Sequence, residues 1–118
     1  MTATATRSFG VEFVRNVTVV RFTVESLDES NFEAVADELH SLMFAQRPRR
    51  VVVDMAELRR IDDLGLAVVQ SFHDSVEEVG GTAILCRLAL SVMGAVSTSG
   101  LNRLLHIRPS LNEALWTF

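Results

Sequence analysis

One stretch limits what this chain can become: Val51-Val52-Val53-Asp54-Met55-Ala56-Glu57-Leu58-Arg59-Arg60-Ile61-Asp62-Asp63-Leu64-Gly65. Its opening run of β-branched residues suits a strand buried on both faces of a sheet. A charged turn follows, and then two carboxylates stand directly before a helical pattern. Asp62 and Asp63 therefore fall at a helix N-terminus, where unpaired backbone N–H groups and the helix dipole favour negative charge.

The flanking sequence supplies partners for that strand. Phe9, Val11 and Phe13 alternate with polar or small residues, and Val17 to Phe22 follow after Arg15-Asn16, a spacing that predicts an antiparallel hairpin. Ser30 and Glu33 have capping-box spacing ahead of a helix whose apolar stripe is Val35, Ala36, Leu39, Leu42 and Met43. Gln46-Arg47-Pro48 ends it. A second helix is expected from about Asp63 to Val79, buried through Val69, Phe72, Val76 and Val79. Gln70, His73, Asp74, Glu77 and Glu78 form its wet face, and Gly80-Gly81 stops it. Thr82 to Cys86 reads as another interior strand, Ser91 to Ser99 as a short helix closed by Gly100, and Leu104 to Ile107 as a final short strand. Ser110 and Glu113 repeat the capping box for a terminal helix with Leu111, Ala114 and Leu115 inward. Strand–helix–strand steps want parallel pairing. The expected class is α/β, a mixed sheet of four to five strands with about four packed helices.

Composition removes several functions. At 118 residues the chain is long enough for one domain, expected over residues 9–118 after a flexible start over residues 1–8. All eleven basic residues are arginines, which excludes a lysine-bearing P-loop, a Schiff-base enzyme and the active-site lysine of a receiver domain. A net charge of −4 gives no electrostatic reason to expect nucleic acid or an anionic membrane. With no membrane-length apolar run and no apolar core in Met1-Thr2-Ala3-Thr4-Ala5-Thr6, a cytoplasmic protein without direct membrane insertion is expected.

The chemistry-bearing residues are sparse. His40, His73 and His106 fall on different elements with no pair at ligand spacing, so no metal site and no cofactor are expected. Ser97-Thr98-Ser99-Gly100 reads as a helix end rather than a nucleophile elbow, and no catalytic residue emerges. Cys86 sits in an apolar run and reads as a small core residue. Asp54 ends an apolar strand as a phosphoacceptor would, but the paired acids and the lysine such chemistry needs are missing. Its expected role is to accept hydrogen bonds from turn N–H groups. Arg59-Arg60 reads as a solvated turn.

From Val51 to Leu115 the chain resembles the STAS domain, the fold of bacterial anti-sigma factor antagonists. The family pattern is a V-V-V-D strand, a turn and D-S-x-G-L opening a helix, then G-G and a strand, a helix ending G-L, and P-S-x-x-x-A-L. Here these are Val51-Val52-Val53-Asp54, Ile61-Asp62-Asp63-Leu64-Gly65-Leu66, Gly80-Gly81, Ser99-Gly100-Leu101 and Pro109-Ser110-Leu111-Asn112-Glu113-Ala114-Leu115. Leu27-Asp28 also fits a family position. The resemblance implies a non-enzymatic partner-switching protein that binds an anti-sigma factor or related serine kinase, with contacts expected from Asp28, Asp62, Asp63, Leu64, Gly65 and Leu66. It also implies phosphorylation of the hydroxyl residue after the family aspartate.

Here Asp63 stands at that phosphosite-equivalent position, so no phosphoester forms there. Its charge of about −1 only partly imitates a phosphate of about −1.5 to −2. The carboxylate either holds a phosphate-like, partner-excluding surface or meets donors matched to it in a constitutive complex. The alternative function is an adaptor subunit of a membrane lipid- or anion-transport complex, which STAS domains also serve. A small-molecule sensor has no phosphate-cradling loop behind it.

Overall fold

The computed structural model describes residues 8–118. Strands β1 (Phe9–Val14) and β2 (Val17–Phe22) form the expected antiparallel hairpin. Arg15 and Asn16 both take positive φ (53° and 67°), the twist that a two-residue hairpin turn needs. After the two-residue strand β3 (Ser26–Leu27) come α1 (Phe32–Gln46), β4 (Arg50–Asp54), the equally short β5 (Arg60–Ile61) and α2 (Asp63–Glu78). Then follow β6 (Thr82–Cys86), α3 (Leu90–Ser99), a 3-10 turn over Leu101–Arg103, β7 (His106–Arg108) and α4 (Leu111–Trp116).

The main sheet has five strands in the order β1-β2-β4-β6-β7. β1 runs antiparallel to β2, while β2, β4, β6 and β7 run parallel to one another. The valine run of β4 thus lies at the centre and is buried from Val51 to Val53, as a strand covered on both faces must be. Alternation divides its residues between two cores. Val20, Phe22, Val51, Val53, Ala83 and Leu85 join the large core shared with α1, α2 and α3. Val17, Val19, Val52, Ile84 and Cys86 turn the other way, onto Ala114 of α4 with Leu111 and Leu115 against it. Cys86 packs as the sequence suggests. Burial and the nearby Asp54 charge push its thiol up to about 12.

Several expectations change in detail. The capping box at Ser30 does not form: Asn31 is the N-cap residue of α1 and makes no side-chain cap bond. The Ser30 hydroxyl instead donates to Asp28 Oδ1. Half of the second box forms at Ser110, whose Oγ accepts from the Glu113 N–H at 3.1 Å, while the Glu113 carboxylate accepts from the Ser110 hydroxyl instead of its amide. The last strand begins at His106 because Gly100, at φ 84°, turns the chain into the 3-10 segment instead. His73, placed on the wet face of α2 by periodicity, is buried at 4% exposure. Of the expected flexible start, residues 1–7 lie outside the described residues. Ser8 is held, its amide and hydroxyl both donating to the Glu38 carboxylate.

Candidate functional site

The start of α2 is built by a two-strand clasp that periodicity could not show. Ser26 pairs with Arg60 and Leu27 with Ile61, drawing the Asp28 loop against the segment that enters the helix. The Arg59 and Arg60 amides both donate to the Glu25 carbonyl, and the side chains of both arginines are solvated. Gly65 completes the clasp. A Cβ there would lie 2.2 Å from the Leu27 carbonyl oxygen, closer than any side chain tolerates.

Asp62 caps the helix from extended backbone, accepting from the Gly65 N–H at 2.9 Å. Its other oxygen accepts from the Glu29 amide at 3.1 Å, so one carboxylate fastens the helix start to the Asp28 loop. Within that loop, hydrogen bonds from the Ser30 hydroxyl and amide hold the Asp28 carboxyl below its ordinary range. Asp63, in the first turn, is exposed, and among the described residues its carboxylate makes no hydrogen bond or ion pair.

The six expected contact residues therefore divide by task. Asp63 and Leu64 face solvent, Leu64 at 39% exposure. Asp28 and Asp62 are half-buried and fix the loop. Gly65 and Leu66 are buried, so they shape the site from beneath rather than touch an arriving protein. Two depressions flank the exposed pair. Leu64 lines a groove of about 550 Å³ between α1 and α2, together with Phe32, Ala36 and Val68. Asp63 lines a cleft of about 430 Å³ against α3, with Gly94, Thr98 and Ser99 opposite.

Asp54, at the end of β4, is fully buried. It accepts from the Ala56 N–H at 3.2 Å, as expected of a turn aspartate, but sequence gave no sign of its other partners. Arg21 Nε lies 3.0 Å from one oxygen, and Arg87 reaches both oxygens through Nε and Nη2. Arg87 takes φ 58°, a left-handed turn just past β6. Burial works against ionisation here, and the hydrogen bonds from Arg87, Ala56 and Arg21 outweigh it, so the carboxyl is held below its ordinary value of 3.8. A carboxylate closed off in this way braces three strands and is not placed to accept a phosphoryl group.

The histidines do not stay apart. The His73 and His106 rings lie 6.1 Å apart, and His73, Glu77 and His106 bring potential metal-ligand atoms within 4.8 Å of one another. Sequence separation concealed this, because β7 reaches α2 only through the folded sheet edge.

A family model, the STAS domain, matches residues 8–114. An anti-sigma factor antagonist from Mycobacterium paratuberculosis superposes with a TM-score of 0.82 at 18% identity, over 99% of this chain and 97% of that one. The Bacillus cell fate determinant SpoIIAA in its phosphorylated form gives 0.66 at 21% identity, over 91% and 96%. The murine anion transporter Slc26a9 gives 0.74 at 17% identity, over 88% of this chain and 18% of that much longer one. Among the described residues, no helix is long and apolar enough to cross a membrane.

Proposed function

The chain belongs to the STAS domain family, and on that premise we propose that it is a non-enzymatic, anti-sigma factor antagonist-like binding module. Its partner is an anti-sigma factor or a related serine kinase, and phosphorylation at position 63 does not switch it. One observation carries the reading: Asp63 and Leu64 stand exposed on a helix start that Asp62, Gly65 and the Leu27–Ile61 pairing hold rigid. A charged group beside an apolar one, on backbone that need not reorder, is an economical docking surface. The free carboxylate of Asp63 lies where the family's phosphorylatable hydroxyl would be and offers a constant charge to arginines or amides of a partner. Asp28 and Asp62 hold that surface, while Gly65 and Leu66 support it from below.

The test is capture of partners from the source cells on the immobilised chain, with bound proteins identified by mass spectrometry. An anti-sigma factor or serine kinase is expected. Leu64→Arg should abolish its capture without changing the urea midpoint. Asp63→Ala should weaken binding about tenfold or more if the carboxylate meets a matched donor. Tighter binding by Asp63→Ala would mean that Asp63 instead holds the surface in a phosphate-like, excluding state. Incubation with a candidate kinase and ATP should leave residues 56–66 unmodified.

A second reading follows from the fold shared with the Slc26a9 transporter: an adaptor subunit of a membrane transport complex. Recovery of an ATPase or transporter subunit in the same capture, with no sigma-regulating protein, would replace the first reading with this one.

A further inference from the structure

We propose that His73, Glu77 and His106 bind one divalent transition-metal ion of the zinc class, tying α2 to the edge strand β7. His73 and Glu77 are four residues apart and share a helix face. His106 opens β7 and brings a second imidazole to the same point.

The placement of the His73 ring carries the inference. Its side chain is only 5% exposed, and Nδ1 lies 3.1 Å from Asp74 Oδ1. A carboxylate only accepts, so the contact with Asp74 places a ring proton on Nδ1 and leaves Nε2 as the nitrogen that can face a ligand. That buried nitrogen has no hydrogen-bond partner. Glu77 Oε2 lies 3.5 Å from it and can only accept. Two acceptors facing each other call for something positive between them. A proton needs only two such atoms; the third converging ligand, from β7, is what a metal ion uses.

Two imidazoles and one carboxylate suit zinc better than magnesium or calcium, which take mostly oxygen ligands. Ligand atoms around a tetrahedral zinc stand roughly 3.3 Å apart. The His73–Glu77 pair at 3.5 Å is already near that value. Separations of up to 4.8 Å narrow to that value on rotation of Glu77 and His106, both exposed. Asp74 supplies the carboxylate that orients a metal-binding histidine through its other nitrogen. A fourth position stays open for water or an outside ligand. The site lies roughly 15–21 Å along the helix from Asp63 and shares no residue with the docking surface.

Calorimetric titration of the tag-free full chain with zinc chloride at neutral pH should give one ion per chain. Cobalt in its place should show tetrahedral absorption bands. His106→Ala and Glu77→Gln, both at exposed positions, should each weaken zinc binding at least about tenfold while leaving the metal-free urea midpoint unchanged. The proposal is overturned if no zinc binds at sub-millimolar concentration, or if both variants bind as the unaltered chain does. It is equally overturned if nitrogen-detected NMR finds both His73 ring nitrogens protonated with zinc present.

Discussion

Asp54 carries its charge where water does not reach, and it is tolerated there because both oxygens are engaged. The guanidinium groups of Arg21 and Arg87 keep about two-fifths of their side-chain surface exposed, which limits what the cluster is worth. Asp54→Asn keeps the shape and removes the charge, and should destabilise by about 2 kcal/mol at neutral pH in urea unfolding. The sign of the pH dependence follows from the lowered carboxyl. Its contribution is complete above the ordinary value of 3.8 and fades as pH falls toward the depressed folded value. The gap between the unaltered chain and Asp54→Asn should therefore narrow as pH drops below about 4. A gap that stayed constant across that range would mean the charge does not contribute.

At the level of elements, the entry to α1 shows how a capping pattern can mislead. Ser30 and Glu33 have the right spacing, but the clasp between β3 and β5 fixes the chain direction before the helix begins. Asn31 takes over: its amide donates to the Ser26 carbonyl at 2.8 Å, and its oxygen accepts from the Asp28 N–H at 3.0 Å. Asn31→Ala should cost about 1–2 kcal/mol, since two loop bonds vanish together. Ser30→Ala should stay within about 0.5 kcal/mol, because the hydrogen bond its hydroxyl donates to Asp28 is exposed to solvent. Chemical denaturation of both variants decides between the two residues, and the reverse order would restore the capping box. The start of α2 behaves as its sequence implied because Asp62 both caps the helix and holds the neighbouring loop.

For the molecule as a whole, stability should be highest at the sheet centre. β2, β4 and β6 each have a strand on both sides, while β1 and β7 have open edges. The Arg15 guanidinium, 4.6 Å above the Trp116 ring, links the hairpin turn to α4 and partly protects the outer end of β1. Native-state hydrogen exchange should find the amides of Val52, Val53 and Ile84 slowest, opening only in global unfolding, and those of β7 faster. Zinc, if bound as proposed, should slow β7 selectively. Exchange in β7 as slow as in β4 without metal would contradict this view of the edge.

Much was legible in the chain alone, for a physical reason. Strand and helix periods, the valine run, the glycine stops and the paired acids before α2 are local signals, set by residues within a turn or two of one another. They located the parallel sheet, the packed helices and the exposed carboxylate of Asp63. What folding decided depends on residues far apart in sequence. Arg21 and Arg87 each lie 33 positions from Asp54, and His106 likewise lies 33 from His73. A two-residue strand has no period to read, so the clasp that seats Gly65 against Leu27 emerged only with the backbone path. Burial of His73 against its helical pattern has the same origin, because the folded sheet, with Ala83 and Leu85 of β6 beside the ring, covers a face that α2 by itself would leave wet.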